Sequence, residues 1–274
     1  MTPLSSGLRT CDSIAGTPGF ATGFQLSASE LAAIRLAIRN HLADAIRSEA
    51  SQLLERFLHT ELEDYHTLAD LLPHDRLVTR TQRILPQIAV DSLRSTSLFR
   101  QLEEHLGPFA ISDEEGVGRE SVSMRLVRPQ IASDVGSLHT DDWFWKLYGF
   151  PVPSDVTRVK VWVAICCEPG KSGLLLSPDS HQRAWKYQVI ERAGMKKPLL
   201  DETERPVLQL FESEPGDAVA FNYRMLHGGA VTSGDKTRVS VEFTLLVPAA
   251  RQSRLNAAPD TTCGVCRAGR IRSA

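Results

Sequence analysis

The 274-residue chain sets 31 basic side chains against 33 acidic ones, a formal net charge of −2. So even a balance gives no electrostatic reason to expect a nucleic-acid partner. Hydrophobic residues make up 42% and charged residues 23%, ordinary for a soluble globular protein, and no apolar run approaches the roughly eighteen residues of a membrane-spanning helix.

Residues 1–26 are rich in Gly, Ser, Thr and Pro with little periodicity, which predicts an irregular lead-in without the apolar core of a signal peptide. Ser27-Ala28-Ser29-Glu30 is a capping box, and Leu31, Ile34, Ile38, Leu42 and Ile46 follow at helical steps. Helical pattern continues through Leu53 to Leu58 and Leu68 to Leu72, where Pro73 breaks it, and from about Ile84 to Leu106, ended by Gly107-Pro108. Residues 27–110 are therefore expected to be mainly α.

From Ser121 the period becomes two. Val122, Met124 and Leu126 alternate with Ser123 and Arg125, and Val159, Val161, Val163 and Ile165 with Lys160, Trp162 and Ala164. Leu174-Leu175-Leu176 is a short apolar strand closed by Pro178-Asp179-Ser180-His181. Residues 182–206 are charged, with Gly194 and Pro198, as in an insertion or lid. Ala218 to Phe221 forms a strand leading to His227, and Val239, Val241, Phe243 and Leu245 mark a last strand. Several short strands after a helical lead predict an α+β protein: a double-stranded β-helix (jelly roll, cupin-like) over 120–248 with the helical part packed on it, a tail over 249–274, and one domain in all.

Five cysteines, including adjacent Cys166-Cys167 in an apolar run, fit reduced thiols in a cytoplasm better than a disulfide framework. Cys263 and Cys266 form a lone C-x-x-C, read as two thiols of the tail before a redox pair or half a zinc site.

The chemistry centres on Ser137-Leu138-His139-Thr140-Asp141-Asp142-Trp143-Phe144-Trp145. An imidazole and a carboxylate two residues apart, on a strand or at its end, share a face and can offer two ligands to one metal. A lone H-x-(D/E) means little, since His59-Thr60-Glu61 is one too and with eight histidines about one is expected by chance. The set gains weight from order. His227 could supply a third ligand, and Arg238-Val239-Ser240 begins eleven residues later. Two histidines and a carboxylate make the facial triad of non-haem Fe(II) oxygenases, and a guanidinium beside a hydroxyl suits the far carboxylate of a dicarboxylic cosubstrate.

This pattern resembles the Fe(II)/2-oxoglutarate dioxygenases, and Pro178-Asp179-Ser180-His181, with Asp179 where glycine is usual, is similar to their phytanoyl-CoA dioxygenase-like branch. The resemblance spans about residues 121–248. It implies Fe(II) on His139, Asp141 and His227, 2-oxoglutarate on Arg238 and Ser240, O2 as oxidant, succinate and CO2 as products, and ascorbate as a supporting reductant. Asp141, which related halogenases replace with a small residue, favours hydroxylation or desaturation here.

Arg125 and Trp162, on barrel strands, are further candidates for contacting 2-oxoglutarate. Trp143, Trp145, His181 and Tyr223 are candidates for contacting substrate. Polar residues expected near the pocket (Glu120, Asp142, Arg125, Arg128, Lys160, Tyr223) suggest a small zwitterionic or anionic metabolite, an amino-acid derivative or acidic sugar. The alternative is a jelly-roll module that binds a metal or sugar without oxidising it. Oligomeric state is not legible.

Overall fold

Both long period-two stretches become the central strands of one antiparallel sheet. The structure, a computed structural model, describes residues 4–150, 153–192 and 195–248, so the proposed roles of Cys263 and Cys266 lie outside the described residues.

The N-terminal half is helical, as expected from residue 27 on. After helix α1 (Leu4–Ala15) and strand β1 (Phe20–Gln25) comes the long helix α2 (Ala28–Glu49). The Ser27 side chain accepts from the Glu30 amide and the Glu30 carboxylate from the Ser27 amide, satisfying orphan donors at both positions. Ile34, Ile38, Leu42 and Ile46 are buried on its inner stripe. Short helices α3 (Leu54–Leu58) and α4 (His74–Leu77) follow, then α5 (Gln87–Arg94) and α6 (Ser97–Leu106). The single region expected from Ile84 to Leu106 is thus two helices, broken where Ser95 and Thr96 turn the chain.

The irregular lead-in expected over residues 1–26 is corrected: it holds α1 and β1. Neither has a strong local signal, and both form through tertiary contacts that override propensity. Ile14 is fully buried, Thr10 Oγ1 hydrogen-bonds His105 Nδ1 at 2.7 Å, and β1 adds an edge to the main sheet.

Strands β2 (Ala110–Ile111) and β3 (Ser123–Val127) lead to helix α7 (Asp141–Tyr148), closed by Gly149 in the left-handed conformation at φ 68°. Strand β4 (Val156–Cys166) is buried from Thr157 on. Then come β5 (Leu174–Leu176), the hairpin β6 (Tyr187–Arg192) and β7 (Met195–Leu200), β8 (Gln209–Phe211), β9 (Asp217–Asn222), β10 (His227–Gly229) and β11 (Arg238–Pro248). The large sheet runs β1-β9-β4-β11-β2, with β3 also on β11, and a small sheet runs β10-β5-β8. This is the cupin-like jelly roll expected.

The two faces of β4 part company. Val159, Val161, Val163 and Ile165 join the helices in the main core, while Trp162 and Ala164 meet Leu174 and Leu176 of the small sheet in an inner cluster. Side chains at even positions of β4 and β11 therefore point into the barrel. Asp179 adopts φ 61°, which explains the preference for glycine there; Asp is among the few other residues tolerated at such a φ.

Candidate metal centre

The backbone brings the two histidines together. His139 and His227 form an isolated antiparallel bridge, exchanging N–H to O bonds of 3.0 and 2.9 Å. Two more residues along, the chain turns into α7, and Asp141 is its first residue. The ligands expected to share a face through strand alternation do so instead through a bridge followed by a helix start. Carboxylates suit that first turn, where the orphan amides and the helix dipole favour negative charge. Gly228 keeps the approach close, since a Cβ there would lie 3.1 Å from Leu138 Cδ2.

One donor atom from each of His139, Asp141 and His227 lies within 4.8 Å of the others. His139 Nδ1 donates to the Ser137 carbonyl at 2.8 Å and His227 Nδ1 to the Met225 carbonyl at 3.0 Å. A carbonyl only accepts, so the proton sits on Nδ1 and the Nε2 lone pair remains for a metal. Burial holds both imidazoles down to about 4, helped for His139 by its neighbour His227. They are neutral, as ligands must be. Asp141 Oδ2 is buried without a hydrogen-bond partner and stands 3.9 Å from His227 Nε2. An orphaned buried carboxylate oxygen is costly; beside two neutral imidazoles it forms a donor set that suits a divalent cation such as Fe(II). Lys160 Nζ lies 3.8 Å from Asp141 Oδ1, which leaves Oδ2 open to a cation.

Arg238 fits the dicarboxylate. Its guanidinium is buried, Nη1 donates to Ser240 Oγ at 2.9 Å, and Nε has no partner. Burial pushes its pKa down to about 10, so the site holds a desolvated cation. The group reaches the metal strand. A Cβ on Gly229, two residues past His227, would stand 2.9 Å from Arg238 Nη2. Trp162 lies alongside, its ring centroid 5.9 Å from the guanidinium carbon.

Other expectations divide. Arg125 is paired across the sheet: its Nε donates to Glu242 at 2.7 Å. His181 Nε2 bonds the Ala15 carbonyl at 3.0 Å and its ring packs on Gly19, pinning the N-terminal segment. Trp143 stacks on Tyr187 of the β6–β7 hairpin at 4.5 Å, and Tyr148 donates to the Lys196 carbonyl, so the expected insertion over 182–206 is a hairpin resting on α7. Trp145 is buried, 5.4 Å from Tyr223 and 3.8 Å from the Arg158 guanidinium. Glu120 pairs with Arg94, and Arg128 with Asp134. His59 is exposed and bonds the Glu55 carbonyl, as befits a chance motif.

Three residues of the chamber were missed. Glu242 and Arg158 lie on the same inward alternation as Arg238 and Lys160, a signal that strand period alone carried. Glu114, which accepts from Lys160 Nζ at 3.3 Å, sits in a loop with no such signal.

A family model described as phytanoyl-CoA dioxygenase matches residues 18–240. No curated protein matches the chain. Among solved structures, EctD from S. alaskensis with 2-oxoglutarate and 5-hydroxyectoine is similar at TM-score 0.53 and 15% identity, covering 87% of this chain and 75% of that one. EvdO2 from Micromonospora carbonacea var. aurantiaca complexed with 2-oxoglutarate gives 0.53 and 15%, covering 89% and 94%. SnoK, a non-haem alpha-ketoglutarate-dependent carbocyclase from nogalamycin biosynthesis, gives 0.53 and 12%, covering 90% and 86%.

Proposed function

The chain belongs to the phytanoyl-CoA dioxygenase family of non-haem iron, 2-oxoglutarate-dependent oxygenases, and from that premise we propose that it hydroxylates a C–H bond of a small polar metabolite, an amino-acid derivative or an acidic sugar. The observation that carries the reading is the convergence of two metal-ready imidazoles and the orphaned Oδ2 of Asp141 within 4.8 Å.

Iron held by His139, Asp141 and His227, with 2-oxoglutarate as co-reductant, supplies the dioxygen activation that C–H hydroxylation requires. The protein's part is binding and orientation. Ser137 and Met225 carbonyls fix the imidazole tautomers, and Lys160 steadies the far oxygen of Asp141. Arg238 and Ser240 seat the distal carboxylate of 2-oxoglutarate, with Gly229 giving the guanidinium room. The barrel interior, lined by Trp162, Phe221 and Met225, keeps water from that end. Because Asp141 is retained, a halide finds no vacated ligand position, and hydroxylation is favoured over halogenation.

Incubation with Fe(II), ascorbate and 2-oxoglutarate should release succinate, faster when the substrate is present. A module that binds metal or sugar without oxidation would keep its ligand in an Arg238→Ala variant; loss of 2-oxoglutarate binding in that variant separates the two. Failure of the metal-loaded protein to bind 2-oxoglutarate at all would defeat the proposal.

A further inference from the structure

Among the described residues, the Arg238 guanidinium has one hydrogen bond, to Ser240. Its aim therefore depends on the backbone beneath it and on the surface beside it. Both are gripped by one short helical segment of the N-terminal half, Leu62–Leu68.

The grip from beneath acts on Thr237, the fully buried residue before Arg238. Its amide donates to the Glu63 carbonyl at 2.7 Å, its Oγ1 accepts from the His66 amide at 3.1 Å, and the same hydroxyl meets His66 Nδ1 at 3.1 Å. Lys236 Nζ donates to Asp64 at 2.6 Å. The segment is itself tied to β4 by Arg35 of α2, which pairs with Glu63 at 2.7 Å and donates to the Ile165 carbonyl at 3.0 Å.

The grip from beside runs through Asp134. Gly229 lies between Val135 and the guanidinium, since a Cβ there would stand 3.2 Å from Val135 Cγ1 and 2.9 Å from Arg238 Nη2. Next to Val135, the 4% exposed side chain of Asp134 closes the loop back to the end of β3. It accepts from the Arg128 amide at 3.0 Å and from Arg128 Nε and Nη2 at 2.8 Å each. His74 Nε2 stands 3.7 Å from the same carboxylate, and Tyr65 Oη, from the Leu62–Leu68 segment, meets His74 Nδ1 at 3.0 Å. A carboxylate only accepts, so the His74 proton sits on Nε2 and Nδ1 accepts from Tyr65. Buried polar chains of this kind contribute orientation more than net stability.

Resting on the oxygenase reading above, we propose that Tyr65, His74, Asp134 and Thr237 are positioning residues for the 2-oxoglutarate seat. Through them the helical half fixes Arg238 from two sides. The metal ligands are held separately, His139 and His227 by their mutual backbone bonds and Asp141 by the start of α7, so the device acts on cosubstrate and not on iron.

The test is calorimetric titration of the full Mn(II)-loaded chain with 2-oxoglutarate, beside titration of the metal-free chain with Mn(II). Asp134→Asn and Thr237→Val should each raise the Kd for 2-oxoglutarate about tenfold, the worth of one misplaced charged hydrogen bond, and Tyr65→Phe about threefold. Mn(II) affinity should move less than about threefold in each. Glu30→Ala removes the bonds that Glu30 makes to Ser97 and Ser27; it loosens the same helical half away from Arg238, and should lower the melting temperature with the Kd for 2-oxoglutarate unchanged. A rise below about threefold in folded Asp134→Asn or Thr237→Val, an equal rise in Glu30→Ala, or an equal loss of Mn(II) affinity overturns this inference and leaves the oxygenase reading standing. Should either of the first two variants fail to fold, Tyr65→Phe, which keeps the ring, decides, and an unchanged Kd there overturns it. A parent chain that binds metal but no 2-oxoglutarate overturns the oxygenase reading, and this inference with it.

Discussion

Replacing Arg238 by methionine should abolish cosubstrate binding and yet leave the protein more stable. The guanidinium is 3% exposed, with one hydrogen bond to Ser240, a flank of Trp162 and an orphaned Nε. Burial brings its pKa from 12.5 to about 10. A cation whose folded pKa is depressed weakens the folded state at every pH below that value, by about 3 kcal/mol here at 1.36 kcal/mol per pH unit. Methionine removes that cost and fills most of the volume, while the lost Ser240 bond and Trp162 contact return about 1 to 2 kcal/mol. The net gain of about 1 to 2 kcal/mol corresponds to roughly 2 to 8 °C in a domain of this size. Calorimetry at pH 7.5 on the Mn(II)-loaded protein, with and without 2-oxoglutarate, reads both effects. The parent should melt higher with 2-oxoglutarate, and Arg238→Met should melt above the unliganded parent with no response. A variant that melts well below the parent, or still responds, refutes the picture of an arginine kept in the barrel for a ligand.

Gly229→Ala places a Cβ 2.9 Å from Arg238 Nη2 and 3.2 Å from Val135 Cγ1. It should raise the KM for 2-oxoglutarate about tenfold with metal content intact, as expected when one charged hydrogen bond is misplaced; an unchanged KM would show that the guanidinium does not work from this position. Lys160→Met leaves Asp141 and Glu114 without their shared cation and should cost about 3 kcal/mol in urea unfolding of the metal-free protein, an outcome excluded by a loss below about 1 kcal/mol. The pH dependence follows from the imidazoles. His139 and His227 are held down to about 4 when folded, against an ordinary 6.5. Between those values the unfolded chain binds more protons, so the metal-free protein should lose stability as pH falls from 6.5 toward 4. The urea midpoint followed over that range should drop less in His227→Gln; an equal drop would place the titration elsewhere.

Much of the fold was legible because local chemistry and tertiary outcome agree. The Ser27–Glu30 capping box and the stripe through Ile34, Ile38, Leu42 and Ile46 specify α2 without help from the rest of the chain. The strands β4 and β11 declare themselves by period two. Residues 4–25 do not, because α1 and β1 take their stability from α6 and β9, contacts that lie far along the chain. Of the site, the clustering of His139, Asp141 and His227 and the placing of Arg238 against Ser240 agree with what order and spacing suggested. The neighbours of His181 were not legible, because a motif fixes a turn and only the N-terminal segment decides what its ring meets. The pairing of Arg125 was not legible because its partner, Glu242, is 117 residues away in sequence and adjacent only across the β3–β11 pairing. Glu114 had no legible signal, since a loop has no period from which direction can be inferred.

The most direct measurement is anaerobic titration of the metal-free protein with Fe(II), followed calorimetrically, on the parent and on His139→Ala, Asp141→Ala and His227→Ala. The account predicts one iron per chain in the parent and loss of that stoichiometric binding in each variant, with far-ultraviolet circular dichroism unchanged. Stoichiometric binding that survives in His227→Ala would contradict it, because a site of that kind cannot depend on the bridge that draws residues 139 and 227 together.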